Sequence, residues 1–206
     1  MKTRKTIAYI DGFNLYHAID ELGRPELKWV NLSSLSESLL REGEELVEVN
    51  YFSAYATWMP AKYKKHRDYT AALQFEGVNL VLGQFKDKFV KCKKCGRTFT
   101  TKEEKETDVN VALRMVTDVI LDRYDRAILI SADTDLRAAI DSVKHHTPAK
   151  EVFVAAPPNR KSRARGLNAK YEIKPGRIAN HLLKAEYHDE NGNINVIRPS
   201  SYAPPV

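Results

Sequence analysis

Two short apolar segments, each leading to an aspartate, constrain most strongly what this chain can fold into. Residues 7–10 run directly into Asp11, and residues 127–130 lead through Ser131 to Asp133. A continuous apolar run bounded by turn-forming residues is typical of a strand that is buried on both faces. Both aspartates are therefore expected at the carboxyl edge of a parallel sheet, where open α/β folds bind their ligands.

Helix-like and strand-like segments alternate along most of the chain. Helices are predicted at residues 13–19, 32–40, 62–75, 107–122, 135–144 and 177–185, and further strands at residues 48–57, 78–85 and 152–156. This alternation favours βα units and an α/β fold with a central, mostly parallel sheet. We predict one domain at residues 1–187, interrupted by an irregular basic insertion at 86–105, and a loose polar tail or hairpin at 188–206.

Composition indicates a soluble protein with a polyanionic partner. The chain has 206 residues and a formal net charge of +6, with an isoelectric point near 9.2. A basic excess of this kind favours nucleic acid as a partner, although many basic proteins have none. No apolar run reaches the length of a membrane span, and the basic residues 1–5 precede a strand rather than a signal-peptide core. We therefore expect a cytoplasmic protein that does not bind membranes.

Four aspartates form the candidate catalytic and metal-binding site: Asp11, Asp108, Asp133 and Asp135. Asp108 begins the predicted helix 107–122 on the face that packs against the sheet. Each acid has a simpler interpretation as a helix cap or turn residue, and Thr107 offers an alternative cap that would leave Asp108 free. Carboxylates gathered at one edge repel each other unless a cation lies among them, and ligation by oxygen alone suits Mg²⁺ or Mn²⁺. The predicted chemistry is metal-dependent hydrolysis of a phosphodiester.

Three segments of the chain resemble the signature motifs of NYN domains, which belong to the PIN-like nuclease superfamily. They are residues 9–15 around Asp11, residues 104–112 around Asp108, and residues 131–136 around Asp133. The similarity covers about residues 7–183. Ala132 stands where many relatives have glycine, and the insertion with the cysteine pair occurs in only part of the family.

The resemblance implies a three-layer α/β/α fold and a Mg²⁺- or Mn²⁺-dependent endoribonuclease-type site. The four aspartates would be metal ligands, directly or through water. Asn14 would orient water, metal or substrate, or would only cap a helix. Ser131 and Thr134 would support the carboxylates or touch phosphate, or would only stabilise the local turn.

Cys92 and Cys95 are the two cysteines of the chain, in a C-x-x-C arrangement followed by Gly96. This is half of a zinc site, because structural zinc takes four ligands. Three interpretations remain open: Zn²⁺ completed by distant residues or by a second subunit in a homodimer, a redox dithiol, or free thiols.

Two basic segments are candidate contacts for single-stranded RNA. The first surrounds the cysteines and contains Lys93, Lys94 and Arg97, with Phe85, Phe89 and Phe99 interspersed. Cations for phosphates and rings for stacking suit a single strand, but the rings are equally expected to anchor the loop to the core. The second segment follows the last strand and contains Arg160, Lys161, Arg163 and Arg165.

The leading functional hypothesis is a metal-dependent ribonuclease. The alternative is a nucleic-acid-binding or regulatory module that keeps the fold and has little catalytic turnover. The presence of all four acids favours the enzyme. No Gly-rich phosphate loop of the Rossmann or Walker type is present in the sequence.

Overall fold

The computed structural model describes residues 3–205 of the chain. The strands are β1 (Arg4–Asp11), β2 (Glu44–Ser53), β3 (Asn79–Leu82), β4 (Gln84–Lys91), β5 (Thr98–Lys105), β6 (Arg126–Ile130), β7 (Glu151–Ala156), β8 (Tyr171–Glu172), β9 (Glu186–His188) and β10 (Ile194–Ile197). The α-helices are α1 (Gly12–Asp20), α2 (Leu32–Glu37), α3 (Pro60–Phe75), α4 (Thr107–Ile120), α5 (Arg137–His146) and α6 (Pro175–Ala179). Met1, Lys2 and Val206, which the predicted domain limits include, lie outside the described residues.

Six parallel strands form the central sheet, in the order β3-β2-β1-β6-β7-β8. The chain first builds outward from β1 through β2 to β3, and then returns to the other side of β1 to add β6, β7 and β8. The direction of winding therefore reverses between β1 and β6. In open α/β sheets the carboxyl ends of the strands form a crevice at this reversal, and ligands bind there.

Helices cover both faces of the sheet and give three layers. On one face, Leu15 and Ile19 of α1 and Leu73 of α3 pack with Ile10 of β1. On the other face, Met115 of α4 joins a second buried cluster with α5. The strands β1 and β6 are buried on both sides, which explains their unbroken apolar sequences. The predicted α/β fold with a central parallel sheet is confirmed.

The segment predicted as an irregular insertion is a regular antiparallel ribbon. Strand β4 pairs with β5 from Gln84↔Lys105 to Lys91↔Thr98. Opposite charges face each other across the ribbon, as in the Lys88–Glu103 and Lys102–Asp87 ion pairs. Cross-strand charge pairs stabilise such a ribbon without an apolar face, which is why hydrophobic patterning did not reveal it.

The C-terminal helix is shorter than predicted. Helix α6 ends at Ala179, and the chain then pairs with the segment near Trp29, whose carbonyl accepts the N–H of Leu183 at 2.9 Å. Strands β9 and β10 form an antiparallel hairpin, after which Tyr202 packs 6.5 Å from the Trp29 ring centroid. Among residues 3–205, no helix combines the length and apolar character that a bilayer crossing requires.

Candidate active site

Asp11 ends β1 and lies at the point where the winding of the sheet reverses. Its side chain is only 3% exposed. Oδ1 accepts the N–H of Asn14 at 3.0 Å and so caps α1, and Oδ2 accepts the Ser131 hydroxyl at 2.8 Å. Gly12 follows because nothing larger fits: an added Cβ would lie 2.5 Å from the Phe52 carbonyl oxygen. The capping role considered for Asp11 is thus real, and its second oxygen is held by the neighbouring strand.

The loop after β6 is tied to the start of α1. The N–H of Ala132 donates to Oδ1 of Asn14 at 3.0 Å, and the N–H of Asp133 donates to the Ser131 hydroxyl at 3.0 Å. Asp133 also accepts the N–H of Asp135 at 3.0 Å and caps the short 3₁₀ helix that follows. Asn14 and Ser131 therefore join the two aspartate-bearing segments into one unit.

Asp108 reaches the same edge from α4, and it does not cap that helix. The cap is made by Glu104, which accepts the N–H of Thr107 at 3.0 Å and also its hydroxyl. Across residues 3–205, the carboxylate of Asp108 takes part in no hydrogen bond or ion pair, although the side chain is half-buried. Sequence reasoning gave Glu104 no role.

The pKa values of Asp11 and Asp108 reflect both burial and the charges of neighbouring acids. Burial raises the pKa of Asp11 to about 7, opposed by the hydrogen bonds from Asn14 and Ser131 and reinforced by the charges of Asp108 and Asp133. Burial likewise raises the pKa of Asp108 to about 6, and the charges of Asp133, Glu104 and Asp135 add to this. The structure thus brings the four predicted aspartates, together with Glu104, to one edge of the sheet.

The acids are neighbours without forming a closed cage. Within the described part of the chain, no group of three His, Cys, Asp or Glu side chains has the arrangement of a ready-made metal site. The donors at this edge are all carboxylate oxygens, the ligand type that Mg²⁺ and Mn²⁺ prefer. Burial, reinforced by neighbouring acids, raises the pKa of Asp11 and of Asp108, so these two carboxyl groups ionise at a cost in the protein alone.

Comparison with known proteins identifies the family. Residues 5–172 match the family model of the NYN domain. The chain belongs to the NYN domain family. This confirms the resemblance expected from the three motifs and agrees with the nuclease-like three-layer fold.

Two known proteins are similar to this NYN domain protein, one in sequence and one in fold. HspA from Pseudomonas putida (strain DSM 28022 / S16), a 6-hydroxy-3-succinoylpyridine 3-monooxygenase, is 26% identical over 195 residues, covering 78% of this chain and 62% of HspA. The chain therefore spans less than two thirds of HspA. The crystal structure of VPA0982, a protein of unknown function from Vibrio parahaemolyticus RIMD 2210633, has a TM-score of 0.59 at 20% identity, with 88% of this chain and 98% of that chain covered. That likeness concerns the fold.

The residues predicted to contact nucleic acid fall into two groups. Lys93, Lys94 and Arg97 are exposed at the tip of the β4–β5 ribbon. The ribbon begins just after β3 and returns to α4, so its base lies at the same edge of the sheet as the acids. The free thiols of Cys92 and Cys95 are also at this tip.

The second basic segment is only partly exposed. Arg160 is 6% exposed and its guanidinium is paired with Glu21, so this residue is not part of an open basic surface. Lys161, Arg163 and Arg165 are exposed. Gly166 packs against Thr134, since an added Cβ would lie 2.8 Å from the Thr134 methyl carbon. The segment Arg163–Leu167 therefore lies directly beside the acid-bearing loop.

Sequence reasoning also missed an aromatic cavity next to the acids. Its lining includes Phe13 of α1, Trp58 in the loop before α3, and Phe85 of β4. These residues come from separate elements and share no sequence periodicity. Only the tertiary fold brings them together.

Proposed function

We propose that this NYN domain protein is a Mg²⁺- or Mn²⁺-dependent ribonuclease that hydrolyses phosphodiester bonds of single-stranded RNA. One observation carries the proposal: Asp11, Asp108 and Asp133 come from β1, α4 and the loop after β6, and they meet at one crevice, close enough for their charges to repel each other. A divalent cation would convert that repulsion into binding energy. The oxygen-only donor set fits such a hard ion.

Within this proposal each residue has a role that its contacts support. Asp11, Asp108, Asp133 and Asp135 would hold the metal, which when bound supplies a water of lowered pKa and charge neutralisation at phosphate. Ser131 fixes one oxygen of Asp11, and Asn14 ties Asp11 to the Asp133 loop. The Nδ2 of Asn14 has no hydrogen-bond acceptor within residues 3–205, so it remains available to a substrate oxygen.

The exposed cations would attract the RNA backbone. Lys93, Lys94 and Arg97 are exposed on the ribbon tip, and Lys161, Arg163 and Arg165 are exposed in and beside the segment that packs against Thr134. Their contribution is electrostatic and not specific for sequence, so RNA affinity should fall steeply with added salt.

A cleavage assay tests the proposal. Purified protein should cleave single-stranded RNA with Mn²⁺ and be inactive with EDTA, and Asp11→Asn or Asp133→Asn should reduce the rate by on the order of a hundredfold or more. Asp141→Asn is the matched control, because this carboxylate is not one of the four proposed metal ligands and forms an exposed pair with Arg137 on α5. RNA binding without any Mn²⁺-dependent cleavage would instead favour a binding or regulatory module.

A second candidate function rests on the likeness to HspA and on the aromatic cavity. HspA is a monooxygenase of a substituted pyridine. A cavity with several aromatic walls and nearby lysines would also suit a small heteroaromatic acid. Turnover of such a compound, by a preparation that cleaves no RNA under Mn²⁺, would favour this function over the ribonuclease.

A further inference from the structure

The aromatic cavity has a volume of about 710 Å³ and opens beside the acid-bearing crevice. Gly12 and Phe13, which directly follow Asp11, form the wall nearest the acids, and Glu104 lines the side next to α4. Burial raises the pKa of the phenol of Tyr51, another lining residue, and the charge of nearby Asp11 adds to this. A group bound in the cavity would therefore be an immediate neighbour of a phosphate at the acids.

Rings from three elements form the walls. The Phe85 ring meets Trp58 edge-to-face at 4.7 Å between centroids and meets Phe13 in the same manner at 5.6 Å. Trp58 is 41% exposed although it is a large aromatic side chain. Tyr16, across the cavity, is 37% exposed. An exposed cluster of this kind offers stacking surface to a flat ring, and single nucleobases bind proteins in this way.

Hydrogen-bonding groups lie deeper in the cavity. The Ser53 hydroxyl is within 3.3 Å of Nε2 of His66. Burial lowers the pKa of His66 to about 4, so the imidazole is neutral at physiological pH and has both a donor and an acceptor nitrogen. Such groups suit the edge of a nucleobase, which presents donors and acceptors side by side.

Positive charge surrounds the cavity. Lys62 and Lys65 of α3 belong to its lining, and within residues 3–205 neither forms an ion pair with a carboxylate. The ammonium group of Lys102, which also pairs with Asp87 on the ribbon, lies 5.4 Å from the Trp58 ring centroid. A nucleobase in the cavity would contact the aromatic walls, and the phosphate next to it would lie near these lysines.

We propose that this cavity binds one unstacked nucleobase of the RNA strand and thereby places the adjoining phosphodiester at the acids. The inference rests on the proposed ribonuclease function, and it adds a subsite that selects for single strands. A base held in a duplex is paired and stacked on both faces, so it cannot enter. Trp58, Phe13 and Tyr16 are the stacking residues of this subsite, and Lys62 is a phosphate contact.

The test uses binding in EDTA, so that it is independent of cleavage. Fluorescence anisotropy measures the affinity of the full chain for a short labelled single-stranded RNA and for versions in which one nucleotide at a time is abasic. Trp58→Ala should weaken binding of intact RNA by about tenfold, and one abasic position should cost the wild-type protein a similar factor. In Trp58→Ala, the same abasic position should cause little further loss of affinity, so the two losses should not multiply. Both changes remove the same stacking contact.

Matched variants separate stacking from other effects. Phe75→Ala removes a ring of similar exposure, 47%, that is not part of the cavity, and should leave the affinity unchanged. Lys62→Ala should weaken intact and abasic RNA equally. Tyr16→Ala repeats the test if Trp58→Ala unfolds at a lower temperature than the wild type.

Three results would overturn the inference. Wild type and Trp58→Ala could bind intact RNA with equal affinity, the losses from Trp58→Ala and from an abasic position could multiply, or no abasic position could lower the affinity of the wild type. Competition by a small heteroaromatic carboxylate with no effect of abasic positions would assign the cavity to such a compound instead. If the losses from Trp58→Ala and from the abasic position do not multiply, but no Mn²⁺-dependent cleavage is found, the ribonuclease proposal is rejected and the base subsite is supported.

Discussion

The Ser131 hydroxyl donates to Oδ2 of Asp11 at 2.8 Å and joins residues that are 120 positions apart in the sequence. This single bond links the ends of β1 and β6, the two strands between which the winding of the sheet reverses. The Asp133 N–H in turn donates to the same hydroxyl. Ser131 therefore ties the loop that carries Asp133 to the end of β1 that carries Asp11.

The first prediction concerns stability against pH. The folded-state pKa of Asp11 is about 7, above the ordinary aspartate value of 3.8 that the unfolded chain has. Between these values the folded state holds a proton more tightly, so the free energy of unfolding should fall as pH rises from about 4 to about 7. In metal-free buffer near pH 8, Asp11→Asn should be more stable than wild type by at most about 4 kcal/mol.

Urea unfolding of both proteins at several pH values measures this effect. The advantage of Asp11→Asn should shrink as the pH falls toward 4 and vanish below it, where the wild-type carboxyl becomes protonated in the unfolded state as well as in the folded state. A constant difference at every pH would mean that Asp11 is not destabilised by ionisation in the folded protein.

The second prediction separates metal binding from helix capping at Asp108. Because Glu104 accepts the N–H of Thr107 at the start of α4, Asp108→Asn should not lower the free energy of unfolding in EDTA, and above about pH 6 it should raise it, since the wild-type carboxylate is then ionised at a half-buried position. Mn²⁺ should raise the melting temperature of the wild type, and this rise should be much smaller in Asp108→Asn. Glu104→Gln is the comparison, since it weakens the cap. A loss of about 1 kcal/mol in Asp108→Asn with an unchanged Mn²⁺ response would restore the capping interpretation.

The third prediction concerns a buried network that holds α4 on the sheet. Asp118 is 1% exposed and accepts the Tyr9 hydroxyl and groups from Arg114 and Arg123, each at 2.8 Å. Asp118→Ala should cost about 1–3 kcal/mol, because the buried Tyr9 hydroxyl loses its acceptor, while Arg114 and Arg123 keep Glu48 as a partner. Asp141→Ala removes an exposed i,i+4 pair with Arg137 and should cost less than about 0.5 kcal/mol. Similar losses in both variants, measured by urea unfolding, would contradict a structural role for the network.

The acids were predictable from sequence because each follows or begins an element with clear apolar periodicity. Residues 7–10 and 127–130 are buried strands, as their composition indicates, and Asp108 begins a helix with a strong apolar stripe. The ribbon β4–β5 could not be predicted in this way, since its strands carry charges on both faces. The helix predicted at residues 177–185 is too long, because the apolar pattern in its second half belongs to a segment that pairs with the Trp29 segment. The cavity depends on contacts between distant residues, which no local pattern encodes.

The last prediction addresses zinc at the ribbon tip. The backbone N–H groups of Cys95 and Lys94 donate to the Cys92 sulfur and lower the pKa of its thiol, which favours the thiolate that zinc requires. Gly96 turns the chain in a left-handed conformation with φ of 72° and donates its N–H to the Cys92 carbonyl at 2.9 Å. One chain thus offers two sulfur ligands, and no group of three metal-binding side chains exists among its described residues. A tetrahedral site would need the tips of two chains.

We therefore expect one Zn²⁺ per two chains, measured by metal analysis of protein purified with zinc. Light scattering should show a dimer that dissociates with a strong chelator. Cys92→Ser and Cys95→Ser should each abolish both zinc and the dimer while the melting temperature stays near that of the wild type, because the tip lies outside the core. Serine at both positions preserves size and polarity, so a loss confined to zinc and association can be attributed to the thiolates. A dimer that persists in both variants, or one Zn²⁺ in each monomer, would show that other residues complete the site.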